Sequence, residues 1–460
     1  MRETFDGTRL LAAVAVTGCL VACSSGGSAA LPPGDPQTAQ ALVHQTSSSG
    51  SDAKIEHVVI VIQENRSFDN LFYEYPGSNS QSYGYSKTGQ KIDLKPIGFQ
   101  TTWDLGHGLQ QFVGDCNGTG SLPGTDCRMN GFSTEYYECG KASEPKCPNA
   151  NPPYSYVPHK ETKPYFAMAK EFVLADEMFP SNLDASFVSH QYLIAAQADS
   201  TVNTPDDGFW GCGGPSGDSV PTLTQQRTLG ARVFPCFNYE TLADELDNAD
   251  LSWRYYTSAA GSNSYLWSAY QAVKHIYDGP DWKNVITPQT KFFSDVSGGN
   301  LPVISWVTPT YPNSDHAGSG SDGGPSWVAS LVNAIGESKY WDSTAIFVFW
   351  DDWGGWYDHA PPLHIDYDGL GIRAPMLVIS AYAKQNYVSH TQYETGSILK
   401  FIEQRFGLAA LSNSDSRATS PEEDCFDFSQ SPRTFVPIPA KYDKNYFLHQ
   451  PLDPRPVDTE

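Results

Sequence analysis

Two stretches of this chain place acids directly after a buried-looking apolar run. AIFVFWDDWGGWYDH (345–359) sets Asp351 and Asp352 at the end of one run, and HVVIVIQENRSFDN (57–70) sets Glu64, Asn65, Arg66 and Asp69 at the end of another. Adjacent carboxylates at the mouth of a buried strand repel each other, and a cluster of three without a cation forces one to take up a proton. A divalent metal turns the same groups into a set of hard oxygen ligands. Glu64, Asn65, Asp351 and Asp352 are therefore candidate metal ligands, provided their two strands lie close in one sheet. The plainer alternative is that Asp351-Asp352 opens a Gly-rich turn and Glu64 caps a helix. The recurrence of the pattern favours the metal.

A reaction also needs a nucleophile. DASFVSH (184–190) offers Ser186, just ahead of the periodic segment YLIAAQA and hence near a helix N-terminus. Backbone N–H groups there bind phosphate oxygens, and a metal-bound hydroxyl loses its proton more readily. Ser186 is thus a candidate nucleophile and metal ligand, with a simple N-cap as the alternative. His107, His316, His359 and His390 stand in polar loops. Imidazoles placed there could hold phosphoryl oxygens or protonate a leaving group.

These residues need a scaffold that brings them together. HVVIVI (57–62), LPVISWV (301–307), AIFVFW (345–350) and PMLVIS (375–380) read as strands covered on both faces. SFVSHQYLIAAQA (186–198), SYLWSAYQAVKHIY (264–277), SWVASLVNAIGES (326–338) and TGSILKFIEQRF (395–406) carry apolar residues at helical spacing. The alternation predicts an α/β fold, a mostly parallel central sheet flanked by helices. Ligands of such sheets gather at the carboxyl ends of the strands. Residues 100–160 and 200–240, rich in Gly, Pro, Cys and aromatics, read as disulfide-braced insertions within a single catalytic domain, 54–450.

Residues 1–23 read as a signal peptide. Arg2 and Arg9 precede LLAAVAVTGCLVA, and Leu20-Val21-Ala22-Cys23 has the form of a lipobox that would place a lipid on Cys23. An ordinary signal peptide cut near Ala29 or Ala30 is the alternative. Residues 24–53 form a flexible tether by composition. The chain is expected to be exported, as an outer-membrane or periplasmic lipoprotein held by its N-terminal anchor, or secreted. Export permits disulfides. Spacing favours Cys116–Cys127, Cys139–Cys147 and Cys212–Cys236, leaving Cys425 over, although spacing alone does not fix connectivity. Zinc is the competing use of these cysteines, but no CxxC pair is present. The formal charge of −23 argues against nucleic acid as a partner. It leaves an anionic substrate open, because a bound cation reverses the sign locally.

HVVIVIQENRSFDNLF, the His107 loop, LADEMFPSNLDASFVSHQYLIA, the His316 loop, FWDDWGGWYDHAPP and RAPMLVISAYAKQNYVSHTQYETGSILKFIE occur in that order over roughly residues 54–410. Together they resemble the bacterial phosphoesterase family that includes phospholipase C and acid phosphatase members, within the alkaline-phosphatase-like superfamily. The resemblance implies Glu64, Asn65, Asp351 and Asp352 as ligands of a divalent metal, Ser186 as a nucleophile that also touches it, and His107, His316 and His359 along the phosphate site. His390 falls in a region that faces the site. Phospholipase C members commonly show Gly-Pro-Thr-x-Pro-Asn-Arg around the nucleophile. Here Ser186 stands for the Thr and His190 for the Arg, which replaces a bidentate phosphate clamp by a shorter, titratable one.

The expected function is a metal-dependent phosphoric ester hydrolase forming a phosphoserine, with His316 or His359 protonating the leaving group. The expected substrate is a phosphate ester or phospholipid. A phosphonate or sulfate ester hydrolase is one alternative; it lacks the Cys-x-Pro-x-Arg signature of sulfatases. The other is a surface binding protein that kept the scaffold and lost catalysis.

Overall fold

The structure is a computed structural model that describes residues 54–141, 145–206, 209–259 and 262–455. The signal segment, the lipobox Cys23 and the tether 24–53 lie outside the described residues. At its centre eight strands form one sheet: β1 (His57–Gln63), β2 (Val173–Ala175), β3 (Trp253–Tyr256), β4 (Val285–Ile286), β5 (Ile304–Val307), β6 (Thr344–Trp350), β7 (Met376–Ser380) and β8 (Tyr387–Ser389). Their order across the sheet is β4-β3-β5-β1-β6-β7-β2-β8. From β4 to β6 every pairing is parallel. β7 runs antiparallel to both β6 and β2, and β8 returns parallel to β2.

β1 and β6 lie side by side in the middle. Val58 to Gln63 and all of Thr344 to Trp350 are buried. Burial on both faces is why these strands read as unbroken apolar runs and not as alternating ones. Four helices cover the sheet: α1 (His159–Glu171), α2 (Ser186–Ala195), α3 (Gly324–Gly336) and α4 (Thr395–Phe406). On β6, Phe347 meets Phe401 of α4 with ring centroids 5.1 Å apart, and Trp350 meets Tyr165 of α1 at 4.9 Å. Residues three apart on a strand point to opposite faces, so α4 and α1 cover opposite sides. α2 packs with α4, and α1 with α3.

The expected α/β sheet flanked by helices is found, and the three local cysteine pairs form disulfides. Cys425 is free and buried. One expected helix is not. Residues 264–277 break into short pieces, Asn263–Trp267, Ala269–Ala272 and Lys274–Tyr277, with Ser268 and Val273 extended between them. Tertiary hydrogen bonds outweigh the helical pattern: the Trp267 carbonyl accepts from His190 Nδ1 at 3.0 Å and from the Tyr255 hydroxyl at 2.9 Å. Among the described residues no helix is long and apolar enough to cross a membrane.

Candidate active site

β1 and β6 pair in parallel with Gln63 opposite Trp350. The next residue on each, Glu64 and Asp351, therefore leaves the same edge of the sheet beside the other. Asp351 N–H donates to the Gln63 carbonyl at 3.1 Å, and Asn65 N–H donates to Asp351 Oδ1 at 3.0 Å. Glu64 N–H donates to the Ser314 carbonyl at 2.9 Å, which ties the loop bearing His316 to this edge. Asn65 has φ 58°, the left-handed region that Asn tolerates better than most residues. Gly354 and Gly355 in DDWGGW are glycines for a reason of space. A Cβ at Gly354 would stand 2.3 Å from the Asn65 carbonyl oxygen, and one at Gly355 would stand 2.6 Å from Leu105 Cβ. Their bareness lets the His107 loop close on the acids.

Ser186 opens α2. Three residues on, one helical turn, Ser189 Oγ donates to the Asp351 carbonyl at 2.9 Å and pins the helix N-terminus to the end of β6. Ser186 Oγ then lies 3.4 Å from Asn65 Oδ1 and 3.5 Å from Asp352 Oδ2. Glu64, Asn65 and Asp351 are fully buried, and Asp352 and Ser186 nearly so. Burial pushes the Glu64 carboxyl up to about 8. It holds Asp351 well above the usual carboxylate range, with Glu64 and Asp352 adding to the effect. Burial also raises Asp352, opposed by His107, His316 and His190.

These residues fit a cation, and His107, when its ring is neutral, supplies an observation in favour of one. Its Nδ1–H donates to the Leu105 carbonyl at 2.9 Å, so the bare Nε2 accepts from Asn65 Nδ2 at 2.7 Å. With that ring neutral, the amide turns Oδ1 to Glu64 Oε2 at 3.1 Å and to Asp351 Oδ1 at 3.2 Å. Turning the amide over would relieve the opposed oxygens, but it would ask His107 for a second ring proton. Carboxylate and amide oxygens turned this closely on one another suit a hard cation.

Five of the expected residues thus meet at one point: Glu64, Asn65, Ser186, Asp351 and Asp352. Three histidines surround them. His107 orients Asn65. His190 Nε2 lies 3.0 Å from Glu64 Oε1 and 3.7 Å from Asp351 Oδ2. His316 Nδ1 lies 3.1 Å from Asp104 Oδ2 and donates to the Ala317 carbonyl at 2.6 Å, and its ring centroid is 5.9 Å from that of His107.

The structure does not bring the other two expected histidines into this cluster. His359 donates from Nδ1 to Asp69 Oδ2 at 2.7 Å, and its Nε2 sits 3.1 Å from Asn79 Oδ1. The charges acting on it are those of Asp69, Asp358 and Arg373. His390 is exposed and pairs with Asp176 at 2.9 Å. Position in a motif suggests the site for both, but their partners belong to a neighbouring knot around the buried Arg373, whose Nε donates to Asp358 Oδ1 at 3.0 Å. Asp104 and Ser189 are site residues the sequence reading passed over. Their spacings, three before His107 and three after Ser186, were the available signal. An apolar groove of about 1010 Å³ lined by Tyr73, Tyr75, Tyr156 and Phe166 lies elsewhere and includes none of the site residues.

A buried set of carboxylate and amide oxygens beside a serine hydroxyl that opens a helix could hold a cation and serve phosphoryl transfer. The Phosphoesterase family model matches residues 55–409, and the chain belongs to that family. It is a hydrolase acting on phosphoric ester bonds. Phospholipase C A of Mycobacterium tuberculosis is 24% identical over 400 residues, covering 77% of this chain and 73% of that one. Hemolytic phospholipase C of Pseudomonas aeruginosa is 23% identical over 417 residues, 78% of this chain and 54% of that one. Non-specific phospholipase C6 of Arabidopsis thaliana is 24% identical over 429 residues, 84% and 74%. Among solved structures, a protein in the alkaline phosphatase superfamily from Vibrio parahaemolyticus aligns with a TM-score of 0.34 and 13% identity, over 81% of this chain and 72% of that one.

Proposed function

We propose that the chain hydrolyses phosphate esters through Ser186, with a divalent metal held by Glu64, Asn65, Asp351, Asp352 and Ser186. The observation that carries this reading is the position of Ser186 Oγ, 3.4 Å from Asn65 Oδ1 and 3.5 Å from Asp352 Oδ2. When bound, the metal lowers the pKa of the serine hydroxyl and neutralises charge on the phosphoryl oxygens. Asp352 Oδ2, 3.5 Å from Ser186 Oγ, is the acceptor in line for the Ser186 proton. Ser186 Oγ attacks phosphorus and the ester oxygen departs, leaving a phosphoserine. Ser186 opens α2, and the helix N-terminus would stabilise the charge of the transferred group.

In this reading His316 protonates the leaving oxygen. Its Nδ1 is engaged by Asp104 and the Ala317 carbonyl, so Nε2 is the atom that delivers the proton, and Asp104 stabilises the imidazolium. In the second half His316 takes a proton from water, the water attacks phosphorus, and Ser186 leaves with a proton returned by Asp352. The His107 ring holds Asn65 throughout. His359 and His390 act on the fold and not on the reaction in this reading.

The phospholipase C names of the relatives support a phospholipid or another phosphate ester as substrate. The three disulfides support an oxidising, extracytoplasmic location, in keeping with a lipid anchor at Cys23. The test is hydrolysis of p-nitrophenyl phosphate, its phosphocholine ester and a phosphatidylcholine vesicle, by the chelated and metal-reloaded chain and by Ser186→Ala. Loss of turnover on chelation and in the variant, with near-UV circular dichroism unchanged in the variant, supports the reading. Full turnover by Ser186→Ala overturns it.

A further inference from the structure

We infer that His190 is itself a metal ligand, a nitrogen donor beside the carboxylates of Glu64 and Asp351, and that it makes the site select a first-row transition ion over magnesium or calcium. The inference rests on the metal-dependent reading above and adds a residue and a metal class to it.

Three observations carry it. One atom each of Glu64, His190 and Asp351 falls within 4.8 Å of the others, and all three residues are buried. His190 Nδ1 donates to the Trp267 carbonyl at 3.0 Å. Histidine ligands are typically oriented this way, with the second nitrogen fixed by an outer acceptor. The remaining nitrogen, Nε2, faces Glu64 Oε1 at 3.0 Å and Asp351 Oδ2 at 3.7 Å. Finally, Asp351 Oδ2 is fully buried and has no hydrogen-bond partner among the described residues. It is aimed into the space that His190 borders.

A protonated His190 would put a second positive charge beside a cation already held by the carboxylates. A neutral one turns a lone pair toward it. His107 Nε2 is taken by Asn65 at 2.7 Å, and His316, with Nδ1 facing Asp104 at 3.1 Å, is the proposed proton donor. An imidazole added to an otherwise all-oxygen set shifts preference from magnesium and calcium toward iron, nickel, copper or zinc.

The test uses the full chain, stripped of metal and loaded with Mn²⁺, and reads nitrogen coupling to the ion by pulsed electron paramagnetic resonance. Wild-type protein should show a directly bound nitrogen whose signal changes when the histidines carry ¹⁵N. The signal should vanish in His190→Gln and His190→Asn. Zn²⁺ over Mg²⁺ selectivity in equilibrium competition should fall about tenfold or more in the same variants. Bound Mn²⁺ without nitrogen coupling overturns the role of His190 while leaving the oxygen site intact, and so does a coupling that survives both variants. Failure of the wild type to bind Mn²⁺ at all overturns the metal site itself. The labelled wild type needs no substitution, so a variant that folds poorly does not blunt the result.

Discussion

Ser186 Oγ lies 3.5 Å from Asp352 Oδ2, although 166 residues separate the two along the chain. One residue opens a helix and the other follows the central strand. Their approach is set by the Ser189 bond to the Asp351 carbonyl and by the register of β1 on β6. The chemistry proposed for this chain follows from that approach.

Metal removal should couple stability to pH. The folded-state pKa of Glu64 is raised from its ordinary 4.5 to about 8, so the folded chain binds more protons than the unfolded chain between those values. Stability contributed by that proton is complete below about 4.5 and is lost as pH rises through about 8. Asp352 adds to the rise, while Asp351 and His316 oppose it; His190 faces the same carboxyl at 3.0 Å. Thermal unfolding of chelated protein should therefore show a midpoint that falls from pH 5 to pH 8. Excess divalent metal should remove the fall, because the cation replaces the proton. A chelated midpoint that rises across this range would contradict the burial of these acids.

The proposed role of His316 predicts a dependence on the leaving group. His316→Ala should slow hydrolysis of an alkyl phosphate ester by about 10² to 10⁴, the usual yield of general acid catalysis. A p-nitrophenyl ester, whose leaving group departs without a proton, should lose far less. Steady-state kinetics on the two esters checks this. Equal losses on both would assign His316 to binding instead.

Arg373 predicts a stability effect without a catalytic one. Its guanidinium is fully buried and pairs with Asp358 at 3.0 Å and Asp69 at 3.4 Å. Arg373→Met leaves those two carboxylates buried without their partner and should cost about 3–5 kcal/mol in denaturant unfolding. His359→Ala, on the same knot, should change the turnover number only slightly. A large loss of turnover in a well-folded His359→Ala would place that histidine in the reaction after all.

Much of the site could be read from the sequence because it stands where strands end. HVVIVI and AIFVFW are recognisable as central strands by unbroken β-branched and aromatic runs, and the acids that follow are the ligand-facing edge of a parallel sheet. TGSILKFIEQRF matches α4 residue for residue. What the sequence concealed is decided by contacts distant in the chain. SYLWSAYQAVKHIY has helical spacing, yet the Trp267 carbonyl serves His190 and Tyr255 and the helix does not form. β2 and β8 are three residues each and leave little periodicity to detect. His316 and His359 look alike in sequence, and their partners, Asp104 in one case and Asp69 in the other, are what set apart the residue proposed for the reaction from the one proposed for the fold.

The central claim is that Ser186 carries the transferred group, and a rapid-quench experiment tests it most directly. Metal-loaded chain is mixed with p-nitrophenyl phosphate or its phosphocholine ester, stopped in acid within one turnover, and digested for mass spectrometry. A phosphoryl or phosphocholine adduct on Ser186, formed at least as fast as the steady-state rate and absent after chelation, is the predicted result. Sustained turnover with no adduct at Ser186, or an adduct confined to Ser189 or a histidine, would contradict it.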